Sequence, residues 1–337
     1  MCKAFLRIIC CGRDNLGGLG HVFMRTTAYY LMAQLSESIL KVIAYFDMFS
    51  HPVTMEEIHQ FLDQPAREKD LESPLRQLLD KQFIWRLGQF YSLRNDPQLV
   101  QRRLKGNMLA VKRLKLAMRI SRVLAWCPYI RGVGISGSLS KKVAYEGSDY
   151  DFFIITAENR LWIARAFQYF FVKSFSWLGL RYFCCLNYYI DEKALEIEEK
   201  NIFTATEVVT LLPARGRRSF QNFSNANKWV SDFIPNASFR EPPAREISSW
   251  PLKRCLEWML NSQLGDRLDN AIMKYFSRRW TNLMSKKIVY HTGFVLGSMV
   301  VEKHLCKPMP QHFQQNILNR FEQKIADMKN QDTVIQD

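Results

Sequence analysis

From Met32 onward the chain switches between stretches with an apolar residue every three or four positions and short runs of continuous hydrophobicity. Ile39, Ile43 and Phe46 draw one apolar stripe along a first helix. Thr54 and Glu57 have the spacing of a capping box, opening a second helix that buries Ile58, Phe61 and Leu62. Ser73-Pro74 starts a third, with Leu75, Leu78 and Leu79 facing inward. Phe83 to Leu93, turning at Gly88, reads as two short strands. Asp96-Pro97 then opens a helix running to about Ala125. Val100, Leu104, Val111, Leu114 and Met118 form its expected buried side, and Arg102, Lys105, Lys112, Lys115, Arg119 and Arg122 its basic side.

The middle of the chain changes period. Tyr129 to Ile135 and Phe152 to Ile155 read as strands joined through Gly137-Ser138 and a short polar connection. Arg160 begins an aromatic-rich helix that extends towards Trp177, too interrupted by Arg165, Gln168 and Lys173 for a membrane span. Another strand, Tyr182 to Ile190, precedes a possible return strand at Ala194 to Glu198. A helix follows from Ile202, with Thr204 near its start, broken by Pro213 and the basic run Arg215-Gly216-Arg217-Arg218. After a Pro242-Pro243 linker the pattern is helical, with Cys255, Trp258, Met259, Met273, Phe276 and Trp280 expected to pack a last layer. Residues 1–34 show no sustained period and read as an extension or an assigned start that lies too early. No strand precedes Gly17-Gly18-Leu19-Gly20 to make it a phosphate loop.

Chemistry concentrates between the two central strands. Asp149 and Asp151 sit two apart at the head of the second strand, so period-2 geometry turns both carboxylates to one side and Tyr150 to the other. Paired acids are poor core material but suit a hard divalent cation. Gly137-Ser138 followed by Asp149-Tyr150-Asp151 on an apolar strand resembles the signature of the DNA-polymerase-β-like nucleotidyltransferase superfamily. The resemblance implies that Gly137 and Ser138, with Ser136 beside them, contact the triphosphate of a nucleoside triphosphate. It implies Mg²⁺ (or Mn²⁺) on Asp149 and Asp151, and a third carboxylate from a neighbouring strand. Lys141 or Lys142 is placed to neutralise the leaving pyrophosphate. At the third position the sequence departs from the pattern: the strand carries Asn187, with Asp191 at its end and Glu196 beyond. Any of the three is a candidate third ligand, and Asn187 brings no charge.

Composition narrows the setting. The net charge is +15, but residues 35–95 are net acidic; the excess lies on the 96–126 helix and in the last third. That argues against DNA binding by the first unit, because phosphate neutralisation needs cations. The basic helix leaves room for RNA or nucleotide guidance, or for a plain solvated face. The eight cysteines form no C-x-x-C pair, and the histidines have no ligand spacing, so a reducing, cytoplasmic setting is expected. No run suits a membrane span.

The expected fold is α+β. An N-terminal winged helix (35–95) and a long basic connecting helix (96–126) lead into a mixed-sheet nucleotidyltransferase core (127–240). A C-terminal helical bundle (241–337) follows. The expected activity is Mg-dependent transfer of a nucleoside monophosphate to an acceptor hydroxyl on a small molecule, an RNA or a protein. The alternatives are a catalytically degenerate nucleotide-binding regulator and a nucleic-acid-binding protein using the basic helix.

Overall fold

The computed structural model describes residues 16–177, 184–242, 246–285, 300–307 and 311–336. The fold is α+β, with helices packed around a mixed sheet. The first helix, α1 (Leu16–Asp47), begins well before Met32. Gly17, Gly18 and Gly20 interrupt its apolar period, which is why the sequence pattern shows it only from its second half. The chain continues through β1 (Val53–Thr54), α2 (Met55–Phe61), a 3₁₀ turn at Glu68–Leu71, α3 (Glu72–Asp80), β2 (Trp85–Leu87) and β3 (Phe90–Ser92). The capping box forms as expected: Thr54 Oγ1 accepts from the Glu57 amide at 3.2 Å and Glu57 Oε2 from the Thr54 amide at 3.0 Å. The three strands make a small sheet in the order β1-β3-β2.

Asp96 caps α4 (Pro97–Leu124) by accepting from the Gln98 amide at 2.9 Å. The buried side of α4 is only partly the expected one: Leu114 and Met118 pack on the core as expected. Leu99, Arg103, Gly106, Ala110, Ala117, Ser121 and Leu124 face inward, whereas Leu104, Met108 and Val111 are exposed. Small residues let the helix axis approach the core closely, so the small-residue stripe wins over the bulkier one. Arg103 is buried with its charge paired to Glu57 of α2 at 2.6 Å, tying α4 to the first unit.

The main sheet has six strands in the order β7-β4-β5-β6-β9-β8. These are β4 (Ile130–Ile135), β5 (Tyr150–Thr156), β6 (Cys184–Asp191), β7 (Leu212–Arg215), β8 (Val300–Val301) and β9 (Leu305–Lys307). β5 runs antiparallel to β4 and parallel to β6. Along β5, Tyr150, Phe152 and Ile154 pack on one face with α4, α6 (Leu161–Trp177) and α10 (Gln263–Ser285). Phe153 and Ile155 pack on the other, against α7 (Ile202–Thr210) and α8 (Arg217–Ala226). Gly134 has a reason there: a Cβ would stand 3.0 Å from Phe220 of α8, so its absence lets that ring lie on the strand.

A further expectation changes: Ala194 to Glu198 forms no strand, while α7 ends at Thr210, ahead of Pro213 as expected, and Pro213 itself lies inside β7. The C-terminal region is not a helical bundle alone, because β9 pairs with β6 and covers what would otherwise be an open sheet edge. Helix α11 (Gln311–Gln336) then returns to α1, where Ile317 joins the first unit's core and Lys324 pairs with Asp47. In α9 (Pro251–Met259), Cys255, Trp258 and Met259 are exposed rather than packed. That helix docks through polar groups instead. Lys253 Nζ donates to the Ala125 and Ile130 carbonyls at 3.0 Å, and Glu257 holds Arg131 at 2.9 Å and the Tyr129 amide at 2.6 Å. Met273, Phe276 and Trp280 of α10 do pack on the core.

Burial alone would raise the Glu257 carboxyl, but the Arg131 guanidinium and the Tyr129 amide overcome it and hold the group below its usual range. Glu257→Ala is expected to lower the unfolding free energy by about 2 kcal/mol at neutral pH, read from urea midpoints. A depressed folded pKa adds stability that is complete above the unfolded value and is lost as pH falls through the folded one. The gap between wild type and variant therefore closes on acidification below about pH 4.5.

Candidate active site

β4 ends at Ile135, and the next three residues make the turn that faces β5. The Ser136 amide donates to the Asp151 carbonyl at 3.0 Å, which carries the ladder one step past β4. Gly137 then adopts a left-handed φ of +66° and opens the single-turn helix α5 (Gly137–Ser140). A Cβ on Gly137 would stand 2.3 Å from Asp151 Oδ2. Backbone handedness and the neighbouring carboxylate thus both demand glycine. Ser140 Oγ donates to the Gly137 carbonyl at 2.8 Å and closes the turn.

Asp149 precedes β5 and is exposed; Tyr150 turns into the core and Asp151 is half-buried, as the alternation requires. The Asp149 carboxyl is pushed up by burial, with the nearby Arg113 opposing that shift. Arg113 comes from the inward side of α4. Its guanidinium lies 4.4 Å from the Tyr150 ring centroid and donates to the Tyr145 and Ser148 carbonyls, fastening the turn before Asp149. The sequence reading passed over Arg113; the signal lay in its helical spacing from Gly106, Ala110 and Ala117.

Ser136, Gly137, Ser138, Lys141 and Asp151 all border one cavity of about 450 Å³. Lys141 is held by Glu207 of α7 at 2.7 Å, a partner the sequence gave no reason to expect. His51, from the turn after α1, also borders it. Burial pushes its imidazole down to about 3, with Arg103 and Lys141 adding repulsion, so the ring is neutral at physiological pH. Lys142 points to solvent and lies outside the cavity lining, as does Asp149.

Of the candidate third ligands, Asp191 and Glu196 are not brought together with this group. Cys185 is the β6 residue opposite Asp151, and the pairing slips between Phe152 and Phe153, leaving Asn187 between Leu186 and Tyr188. The Asn187 side chain lies outside the described residues. Asp191 is opposite Thr156, five residues along β5 from Asp151 or roughly 16 Å at strand rise. It is fully buried and occupied by the Asn159 amide at 2.9 Å, the Lys193 amide at 3.0 Å and His304 Nδ1 at 2.7 Å. Glu196 is exposed in a loop and pairs with Lys200 at 2.7 Å. Among the described residues no three His, Cys, Asp or Glu side chains gather as a metal cage. Asp151 borders the cavity and the exposed Asp149 lies two residues before it; carboxylate oxygens are the donor type that suits a hard cation. His291 and the His312 side chain lie outside the described residues. Among the described helices none is long and apolar enough to cross a membrane.

Compared with protein-family models, curated proteins and solved structures, the chain matches none. The site's own geometry therefore carries the functional assignment.

Gly137→Ala is expected to cost about 2–3 kcal/mol, adding displacement of Asp151 to the strain of a left-handed alanine. Gly88→Ala is the control. It has the same φ of +66° with open space where the Cβ would lie, so it should cost only about 1 kcal/mol by thermal melting. Equal costs would remove the Asp151 contact. Asp191→Ala should destabilise by about 3 kcal/mol by thermal melting, since it leaves buried donors unpaired.

Proposed function

We propose that this protein is a nucleotidyltransferase that moves a nucleoside monophosphate from a nucleoside triphosphate to an acceptor hydroxyl. The observation that carries the reading is the close approach of the Asp151 carboxylate to Gly137, where a Cβ would stand 2.3 Å from Oδ2, both residues lining one cavity. It brings the two halves of the Gly-Ser and Asp-x-Asp pattern into one place, across the turn between neighbouring antiparallel strands. The alternating β4–α5–β5–α6–β6 order supports a nucleotidyltransferase core, and the three-helix, three-strand order before it supports a winged helix.

In this reading Ser136 and Ser138 bind phosphate oxygens through backbone and hydroxyl groups, with Gly137 keeping the approach open. Asp149 and Asp151 would hold Mg²⁺ or Mn²⁺, which when bound stabilises charge on the phosphates. Arg113 sets the position of Asp149 by fastening the 145–148 turn. Lys141 is already shared with Glu207, so its help to a leaving pyrophosphate is smaller than a free lysine's, and Lys142 acts from solvent if at all.

The second reading, a degenerate nucleotide-binding regulator, is favoured by one observation. The β6 residue opposite Asp151 is a cysteine, with no acid nearer than Asp191 on that strand.

Calorimetric titration with each of the four NTPs and Mg²⁺ tests both. Metal-dependent binding is expected to be lost in Asp149→Ala and in Asp151→Ala. Label on the α-phosphate appearing in an acceptor, and abolished by either change, supports transfer. Binding without transfer to any acceptor supports the regulator. Binding retained in both variants would place nucleotide elsewhere and sink the assignment.

A further inference from the structure

The cavity that adjoins Asp151 has a mixed lining. Ser136, Ser138 and Asp151 stand together where the Ser136 amide meets the Asp151 carbonyl, and Phe46, Phe49, Phe153, Phe203, Val208 and Phe223, drawn from both structural units, make most of the remainder apolar, with Thr204 and Gln314 among them. At about 450 Å³ it has the size of a small-molecule site rather than a groove for a polymer. Its ionised groups are largely consumed within the protein. Lys141 pairs with Glu207 at 2.7 Å, and Lys307 pairs with Glu199 at 3.1 Å. Arg102 sits at the exposed rim, 5.1 Å from the Tyr145 ring centroid. A nucleic-acid strand, charged along its whole length, would need several such cations free to replace its counterions.

Resting on the nucleotidyltransferase reading, we propose that this cavity is the acceptor pocket, and that the acceptor is a compact, mostly apolar molecule presenting one hydroxyl towards Asp151. An RNA end or a protein side chain does not match these walls. In the transfer, the acceptor oxygen bonds to the α-phosphorus of the triphosphate. The bond from that phosphorus to the oxygen bridging to the β-phosphate breaks. Pyrophosphate leaves with the electron pair, and the hydroxyl proton passes to solvent. The apolar walls fix the acceptor by burying its surface, and the neutral His51 ring adds no charge that would need solvation. Because α1 supplies Phe46 and its following turn supplies Phe49, the first unit acts here as a wall of the substrate site.

The test uses 2-naphthol, a fluorescent apolar alcohol, titrated into the full chain. Saturable one-to-one binding is expected, weakened about tenfold by Val208→Phe, which fills the cavity. Should that variant lose its fold by circular dichroism, Phe49→Ala at the exposed rim removes wall without crowding and should weaken binding severalfold. Non-saturable binding, or equal affinity in a folded variant, overturns the pocket. Displacement of 2-naphthol by a single-stranded RNA dodecamer with salt-dependent affinity also overturns it, in favour of a polymer. NTP titration of the same samples separates the two ideas. NTP binding without 2-naphthol binding removes the acceptor pocket alone, whereas 2-naphthol binding without NTP binding removes the transfer reading and the acceptor role with it.

Discussion

A strand buried on both faces can carry charge only at its ends, and β5 sets the plan of the molecule by that constraint. From Phe152 to Ile155 every side chain is in one core or the other. Burying an isolated carboxylate among them would cost several kcal/mol or more. The acids are therefore confined to the entry, where Asp149 is exposed and Asp151 is half-covered by the Gly137 turn. The two cores then fix that turn from behind. β4 holds it through its ladder with β5, and Gly134 admits Phe220 so that α8 can seat against the same strand.

The exit of β5 follows the opposite logic. Asp191 on the neighbouring strand is completely buried, yet it receives two backbone amides and His304, so its charge is fully engaged in joining the 156–159 turn to the strand that covers the sheet edge. A carboxylate so occupied is a structural brace. The same strand pair thus spends one acid on architecture and places another, Asp151, at its far end on the lining of a cavity. Polar docking recurs at α9, where Lys253 and Glu257 replace the apolar contacts expected of that helix and leave Trp258 exposed.

Much of this was legible in the sequence where signals are local. The Thr54–Glu57 capping box, the Asp96 cap, the turn at Gly137 and the inward turn of Tyr150 beside a half-buried Asp151 depend on residues close in the chain, and all take the geometry their spacing implies. Three things were not legible. Helix α4 was read by bulk, but Gly106, Ala110 and Ala117 pack through closeness of approach, which hydrophobic periodicity undervalues. The third acid was sought by strand parity. Register alone excludes Asp191, and register depends on the slip around Asn187 and on the partner strand. The partners of Lys141 and Arg103 lie 66 and 46 residues away, a separation no spacing rule reaches.

Those distant pairs also explain why a basic protein has a weakly charged cavity. Net charge is a sum over the surface, whereas the potential inside a cleft depends on which cations are already matched nearby. Arg103 is spent on Glu57, Lys141 on Glu207 and Lys307 on Glu199. The unmatched lysines and arginines of α4 lie mostly on its exposed side, away from the wall that Gly106 and Ala110 press against the core. Positive charge is therefore available to draw an anion towards the molecule, while inside the cavity the serines, the glycine turn and one carboxylate meet a largely aromatic wall. Surface charge and cavity lining are thus set by different residues, and that division is what lets a mostly apolar cavity adjoin the Gly137 turn in a basic protein.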